Sequence, residues 1–197
     1  RPPRSTLFPY TTLFRSIAAV YVEFVRSTPM LVQLFIIYYV VFSYIDVPYF
    51  NIISGVTSDR FIPGVVALAL NSGGYLSEII RGGIEGVALG QTEAARSLGL
   101  SQLQNMRFII LPQALRNMVP ALLSQFVTTI KDTSYLWGAM ALQELMGRGM
   151  ILMNSYNSTV QIFAIFGIMA LIYFVVCFTL SQIVRAYQRR LKEARTA

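Results

Sequence analysis

Four consecutive residues, Lys131-Asp132-Thr133-Ser134, bring together a cation, an anion and two hydroxyls. That set suits a zwitterionic ligand, which needs a partner for each of its charges. A helix terminus held by a local ion pair and an Asp or Thr cap uses the same residues equally well. A second group, Asn71, Ser72 and Glu78, lies in an otherwise apolar run. Polar groups in such runs are costly and point first to a ligand path. Small residues also serve helix packing, and Glu78 stands one turn from Arg81, where an interfacial pair can form. Gly73 and Gly74 follow directly, and two adjacent glycines predict a broken helix there. Nothing in the chain suits covalent or metal catalysis. Histidine is absent, and with it the commonest metal ligand and general base. There is no Ser/His/Asp set and no G-x-x-x-x-G-K-S/T phosphate loop. The single Cys177 sits in an apolar run and reads as packing. The chain is therefore read as a non-enzyme with no catalytic residues, no metal site and no bound cofactor.

The elements that must carry these groups are hydrophobic rods. Apolar residues make up 55% of the chain and charged ones 13%. The uncharged runs 27–45 and 149–184 reach the ~20 residues a spanning helix requires. About four spans are predicted, at 30–45, 61–80, 113–130 and 159–184, with Pro120 loosening the third. Glu23 and Arg26, three apart, can pair on an interfacial approach helix that Pro29 breaks. Residues 131–157 are polar-rich and read as an external segment that folds partly back. The net charge of +7 is not a nucleic-acid signal, because no basic stripe with interleaved aromatics is present. By parity, Arg26, the cluster Arg81, Arg96, Arg107 and Arg116, and the tail from Arg185 to Arg195 share one side. The opposite loops hold only Arg60, Lys131 and Arg148. An excess of basic residues marks the cytoplasmic side, so the central polar stretch and the C-terminus are predicted to be cytoplasmic.

That central stretch, 85–112, carries its own punctuation. Thr92 can cap a short helix with Glu93 in its first turn. Gly99 supplies a left-handed stop, Ser101 and Gln104 have capping-box spacing, and Pro112 is read as the end of the second helix. The product is a helix–Gly–helix elbow outside the bilayer, with Ala94 and Ala95 lining a small face. Glu93, Ala94, Ala95, Gly99, Ile109, Leu111 and Pro112 also match, at every fixed position, the E-A-A-x-x-x-G…I-x-L-P signature of permease subunits of ABC importers. Seven matches at fixed spacing arise by chance on the order of 1 in 10⁸ starts, so the chain is identified as a member of that class. The segments around Arg26-Ser27-Thr28-Pro29 and Lys131-Asp132-Thr133-Ser134 resemble the polar amino-acid uptake family within it.

The resemblance implies an all-α integral membrane fold, the type I ABC importer transmembrane domain, here without the family's first span. It implies a permease subunit translocating polar amino acids, rather than an ion-coupled carrier or channel. Glu93, Ala94, Ala95, Gly99, Leu111 and Pro112 would couple it to a cytoplasmic ATP-binding subunit, where ATP and magnesium are used. Asn71, Ser72, Glu78, Lys131, Asp132, Thr133 and Ser134 would line the substrate path. The implied partners are that ATPase, an extracytoplasmic solute-binding protein and a second permease subunit, in the lipid bilayer of the bacterial inner membrane. Residues 1–16 show no helical periodicity and read as a non-native, adapter-like leader, with the permease domain taken as 17–197.

Overall fold

A computed structural model describes the backbone of residues 9–196 and the side chains of 13–186 and 188. Residues 1–8 of the expected leader lie outside that range, as do the side chains of Arg189, Arg190, Lys192 and Arg195. Residues 9–16, read as aperiodic, form the first turns of helix α1, Pro9–Ser27. Proline is well placed there, since the first helical residue has no intrahelical use for its N–H.

Pro29, extended at φ −61° and ψ 136°, ends that direction and precedes α2, Met30–Phe35. The chain turns through 117° between the stretches Leu13–Ser27 and Met30–Tyr44. Gln33 closes the bend from inside: its Nε2 donates to the carbonyls of Val25 (2.9 Å) and Thr28 (3.1 Å) and to Thr28 Oγ1 (2.8 Å). A π-helical turn, Ile36–Val41, and a 3-10 turn, Phe42–Tyr44, complete this arm. A small antiparallel hairpin follows, β1 (Asn51–Ile53) and β2 (Val56–Thr57), turning at Gly55 with φ +81°.

Helix α3, Ser58–Glu85, runs unbroken through Asn71-Ser72-Gly73-Gly74. The predicted break is absent because the glycines serve close approach instead. A Cβ added at Gly74 would lie 2.6 Å from Val25 Cγ1 of α1. One turn away, Tyr21 donates its hydroxyl to the Leu70 carbonyl. Packing against α1 holds the helix that composition alone would loosen.

The chain then makes α4 (Leu89–Ser97), α5 (Gln102–Gln104), a π-helical turn (Asn105–Ile110) and α6 (Leu111–Asp132), which is continuous through Pro120. α6 lies antiparallel to α3. At the elbow end Val87, Ile110, Ala114 and Met118 form one buried cluster, and a Cβ at Gly83 would meet Met118. Halfway up, Ser72 Oγ lies 3.0 Å from Thr129 Oγ1. Ser72 is in the middle of a 28-residue helix, so Thr129 sits ~20 Å from either end of α3, and Lys131 only ~3 Å further along. Lys131, expected in an outer loop, is therefore at mid-depth in the bundle. Short α7, Tyr135–Met140, continues the climb, its Leu136, Ala139 and Met140 buried against Leu34, Val56 and Ala67. At the hairpin end Arg60 Nη1 donates to the Ala141 carbonyl (3.1 Å), and Arg148 donates to the Ser54 carbonyl. Residues 131–148 thus fold back into the bundle, as their polar-rich composition suggested.

Helices α8 (Leu145–Met153) and α9 (Thr159–Thr196) finish the chain. Among the described residues, the stretch Thr159–Ala186 is the one unbroken helix both long and apolar enough to cross a membrane. α3 and α6 have the length, ~42 and ~33 Å, but carry polar groups on the faces turned toward the cavities described below.

Candidate functional site

The elbow is built from local rules. Ala88 occupies the position before α4 and makes no side-chain cap, so Thr92 and Glu93 lie inside the helix rather than at its start. The stop at its other end is as predicted. Gly99, at φ +78°, donates its N–H to the Arg96 carbonyl, and Leu100 donates to the Ala95 carbonyl, both at 3.0 Å. That crossed pair satisfies carbonyls a helix end would otherwise leave open. Ser101 and Gln104 form the reciprocal box, with Ser101 N–H to Gln104 Oε1 at 2.9 Å and Gln104 N–H to Ser101 Oγ at 3.3 Å. Pro112 does not terminate a helix. It stands in the first turn of α6, and the π-helical turn before it runs on, with Leu111 N–H bonded to the Met106 carbonyl. A wider turn accommodates the missing proline donor without breaking the rod.

The surface of the elbow differs from the predicted alanine face. Ala95 is 3% exposed, packed within the chain, while Glu93 and Ala94 are exposed. The most outward apolar groups are Leu89, Leu98 and Leu103, exposed at 81%, 82% and 78%, followed by Phe108 at 62%. Sequence reasoning missed these leucines because capping geometry, not helix periodicity, turns them out. Gln113 Nε2 donates to Gln91 Oε1 (3.3 Å), joining α4 to the start of α6.

The polar groups of the predicted path divide into three places. Asn71 is buried, and its Nδ2 donates to Gln33 Oε1 (2.9 Å), extending the network that closes the bend. It lines a cavity of about 270 Å³ with Tyr75, Gln125, Thr128, Asp132 and Tyr135. Lys131 opens instead on a second cavity of about 410 Å³, between α6 and α9. Consecutive helical residues point ~100° apart, which separates the two charges, and among the described residues they form no ion pair. Thr133 Oγ1 donates to the Ile130 carbonyl (2.7 Å) and Ser134 Oγ to the Lys131 carbonyl (2.8 Å), closing the end of α6. Ser72 is tied to Thr129.

Glu78 belongs to a third place, an ion-pair chain near the elbow end of α3. Its Oε2 is 2.6 Å from Arg81 Nη2 and 3.2 Å from Arg26 Nη1, and Arg81 Nη1 reaches Glu85 at 3.0 Å. The predicted Glu23–Arg26 pair does not form. Arg26 crosses to α3 instead, and Glu23 accepts from Ser27 Oγ (3.1 Å). Glu144, for which sequence alone gave no chemistry, caps α8 by accepting from Met146 N–H (2.8 Å) and Gly147 N–H (2.9 Å). It also accepts from the Tyr173 hydroxyl (3.0 Å), binding α8 to α9.

Residues 9–193 match the family described as the binding-protein-dependent transport system inner membrane component. The L-cystine transport system permease protein TcyB of Bacillus subtilis is 40% identical over 177 residues, covering 90% of this chain and 70% of that protein. The glutamine transport system permease protein GlnP of Escherichia coli is 36% identical over 177 residues, covering 89% and 75% respectively. A crystal structure of an amino acid ABC transporter with histidines superposes with a TM-score of 0.78 at 36% identity, over 91% of this chain and 77% of that one. The methionine transporter MetNI, in inward-facing conformations, shares the fold with a TM-score of 0.64 at 19% identity, over 93% and 80%.

Proposed function

The chain belongs to the family of binding-protein-dependent transport system inner membrane components, and from that membership we propose that it moves polar amino acids using work done by a separate ATPase. It is a transporter subunit and not an enzyme: its relatives are permease subunits of ABC amino-acid importers. The ATP-binding subunit docks on the elbow, where ATP and magnesium are used by that partner alone. Leu89, Leu98 and Leu103 supply apolar contact, Glu93 a charge-assisted hydrogen bond, and Ala94 the close approach. Gly99, Leu111 and Pro112 act by shaping the elbow and joining it to α6. An extracytoplasmic solute-binding protein delivers cargo at the hairpin end, and a second permease subunit completes the pathway. On this reading the elbow and the C-terminus are cytoplasmic.

The observation that supports this most is the finish of the elbow. Its backbone groups are satisfied by its own caps, so it offers a partner side chains on a rigid frame rather than a frayed loop. The cavity holding Asn71 and Asp132 lies ~30 Å along α6 from the elbow, so a displacement of the elbow reaches it through one helix. Co-purification with an ATPase whose turnover rises on adding amino-acid-loaded binding protein is the expected result. Leu98→Asp or Leu103→Asp should abolish that association, and Glu93→Ala should weaken it. An elbow carrying Leu98→Asp that still assembles and transports normally would remove the docking assignment.

A further inference from the structure

Between the end of the first arm at Tyr44 and the start of α3 at Ser58, the chain turns an apolar set of side chains outward. Tyr44, Tyr49 and Ile53 are exposed at 88%, 71% and 67%, with Ile45 and Phe50 about half exposed. Asp46 is the one charge from Tyr44 to Thr57. The backbone beneath them is held at several points. Ser58 is fully buried: its Oγ donates to the Pro48 carbonyl (2.6 Å) and accepts from the Phe50 N–H (2.9 Å), while its own N–H donates to the Phe50 carbonyl (3.0 Å). Arg148 holds the hairpin turn through the Ser54 carbonyl. Large apolar groups kept outward on so fixed a frame mark an interaction surface.

The level of the patch points to its occupant. Asp59 and Arg60 at one end of α3, and Glu78 with Arg26 and Arg81 at the other, bound a stretch from Phe61 to Ser77 that carries no charge. From Ser58 to Glu78 the helix rises ~30 Å, the thickness of a hydrocarbon core. The ion-pair chain marks one boundary of that core, so the hairpin joined at Ser58 lies at the other. We propose that Tyr44, Tyr49, Phe50 and Ile53 seat in the headgroup layer of the bilayer, anchoring the end of the molecule opposite the elbow. The patch continues the exposed apolar side of the arm below it, at Tyr39, Val40 and Val41. Tyrosine suits that level, since its ring meets acyl chains while its hydroxyl meets water. The anchor rests on the membrane placement of the family, and the transport reading above makes its leaflet the outer one. The rim that Arg60 and Arg148 fasten is then held by lipid as well as by protein.

Trp137 is the only tryptophan, so Tyr49→Trp in a Trp137→Phe background gives a single reporter, with Ile53→Trp as a second. The permease, assembled with its ATPase, is placed in bilayers of phospholipids brominated either near the headgroup or near the acyl-chain ends. Acrylamide serves as the aqueous quencher. Both reporters should lose most of their emission to the shallow bromines, less to the deep ones and little to acrylamide. A spin-labelled Tyr49→Cys in a Cys177→Ser background reads the same depth without altering Trp137, and should relax faster with oxygen than with a water-soluble nickel complex. Reporters quenched by acrylamide and untouched by either lipid would overturn the anchor. So would acrylamide quenching that disappears when loaded binding protein is added, which would give the patch to that partner. Indifference to lipid and water alike would place the patch against the second permease subunit and overturn the anchor equally. The readout is depth and not sidedness. Labelling of a cysteine at Ala94 from the cell exterior would sink the transport reading while leaving the quenching pattern, and the anchor, in place.

Discussion

Gln33 and Asn71 show how much of this molecule depends on single polar side chains in apolar surroundings. Each is 5% exposed, and their amides bond to each other while Gln33 also holds Val25 and Thr28. A buried donor or acceptor left without a partner costs about 1–3 kcal/mol. Gln33→Leu should therefore lower stability by at least about that amount, read as a fall in the thermal midpoint of the detergent-solubilised protein. The double change Gln33→Leu with Asn71→Leu should cost less than the sum of the two single changes, since it removes both ends of one bond. Strict additivity would show that the pair is not coupled. The sequence marked Asn71 as unusual but did not mark Gln33. A glutamine four residues after a proline carries no local signal, and its role exists only once the 117° bend has formed.

At the scale of elements, the features closed within a few residues were legible and those closed across the chain were not. Gly99 as a left-handed stop and Ser101 with Gln104 as a reciprocal cap involve partners at most five residues away, so residue type and spacing were enough. Arg26 finds Glu78 across 52 positions, and no spacing rule reaches that far. The glycine pair in α3 misled for a related reason: propensity weakens a helix in isolation, and contact with Val25 of α1 overrides it. Pro112 misled because a π-helical turn can carry a rod past a proline. The elbow gives a sharp test. Gly99→Val forces a β-branched residue into a left-handed conformation, at a cost of about 1–2 kcal/mol or more. The elbow should loosen, and the yield of ATPase co-purified with the permease should fall. Gly99→Asn should do much less harm, because asparagine tolerates that conformation. Equal behaviour of the two variants would mean that the stop does not shape the docking surface.

For the whole molecule, alternating apolar runs and basic clusters gave the membrane class and the sidedness expected of the elbow. A cysteine at Ala94, in a Cys177→Ser background, should react with a membrane-impermeant maleimide only in inverted vesicles or opened cells. Labelling in intact cells would reverse the topology and with it the docking assignment. What composition could not give was depth. Lys131 looks like a loop residue because polar residues follow it, yet the bond between Ser72 and Thr129 fixes it halfway down the bundle. The depth of the two cavities follows from that registration, and the split of Lys131 from Asp132 from the ~100° turn between consecutive helical residues.

The early end of α6 has a mechanical result. A stiff rod of ~33 Å rises from the elbow and stops at Asp132, and α7 begins at Tyr135 after a short step. Above the step, Arg60 and Arg148 fasten the chain to the hairpin and α3. On the transport reading proposed above, a push on the elbow would be taken up at that joint, against a rim that is pinned. The cavity shared by Asn71 and Asp132 lies beside that joint, at the waist of the molecule.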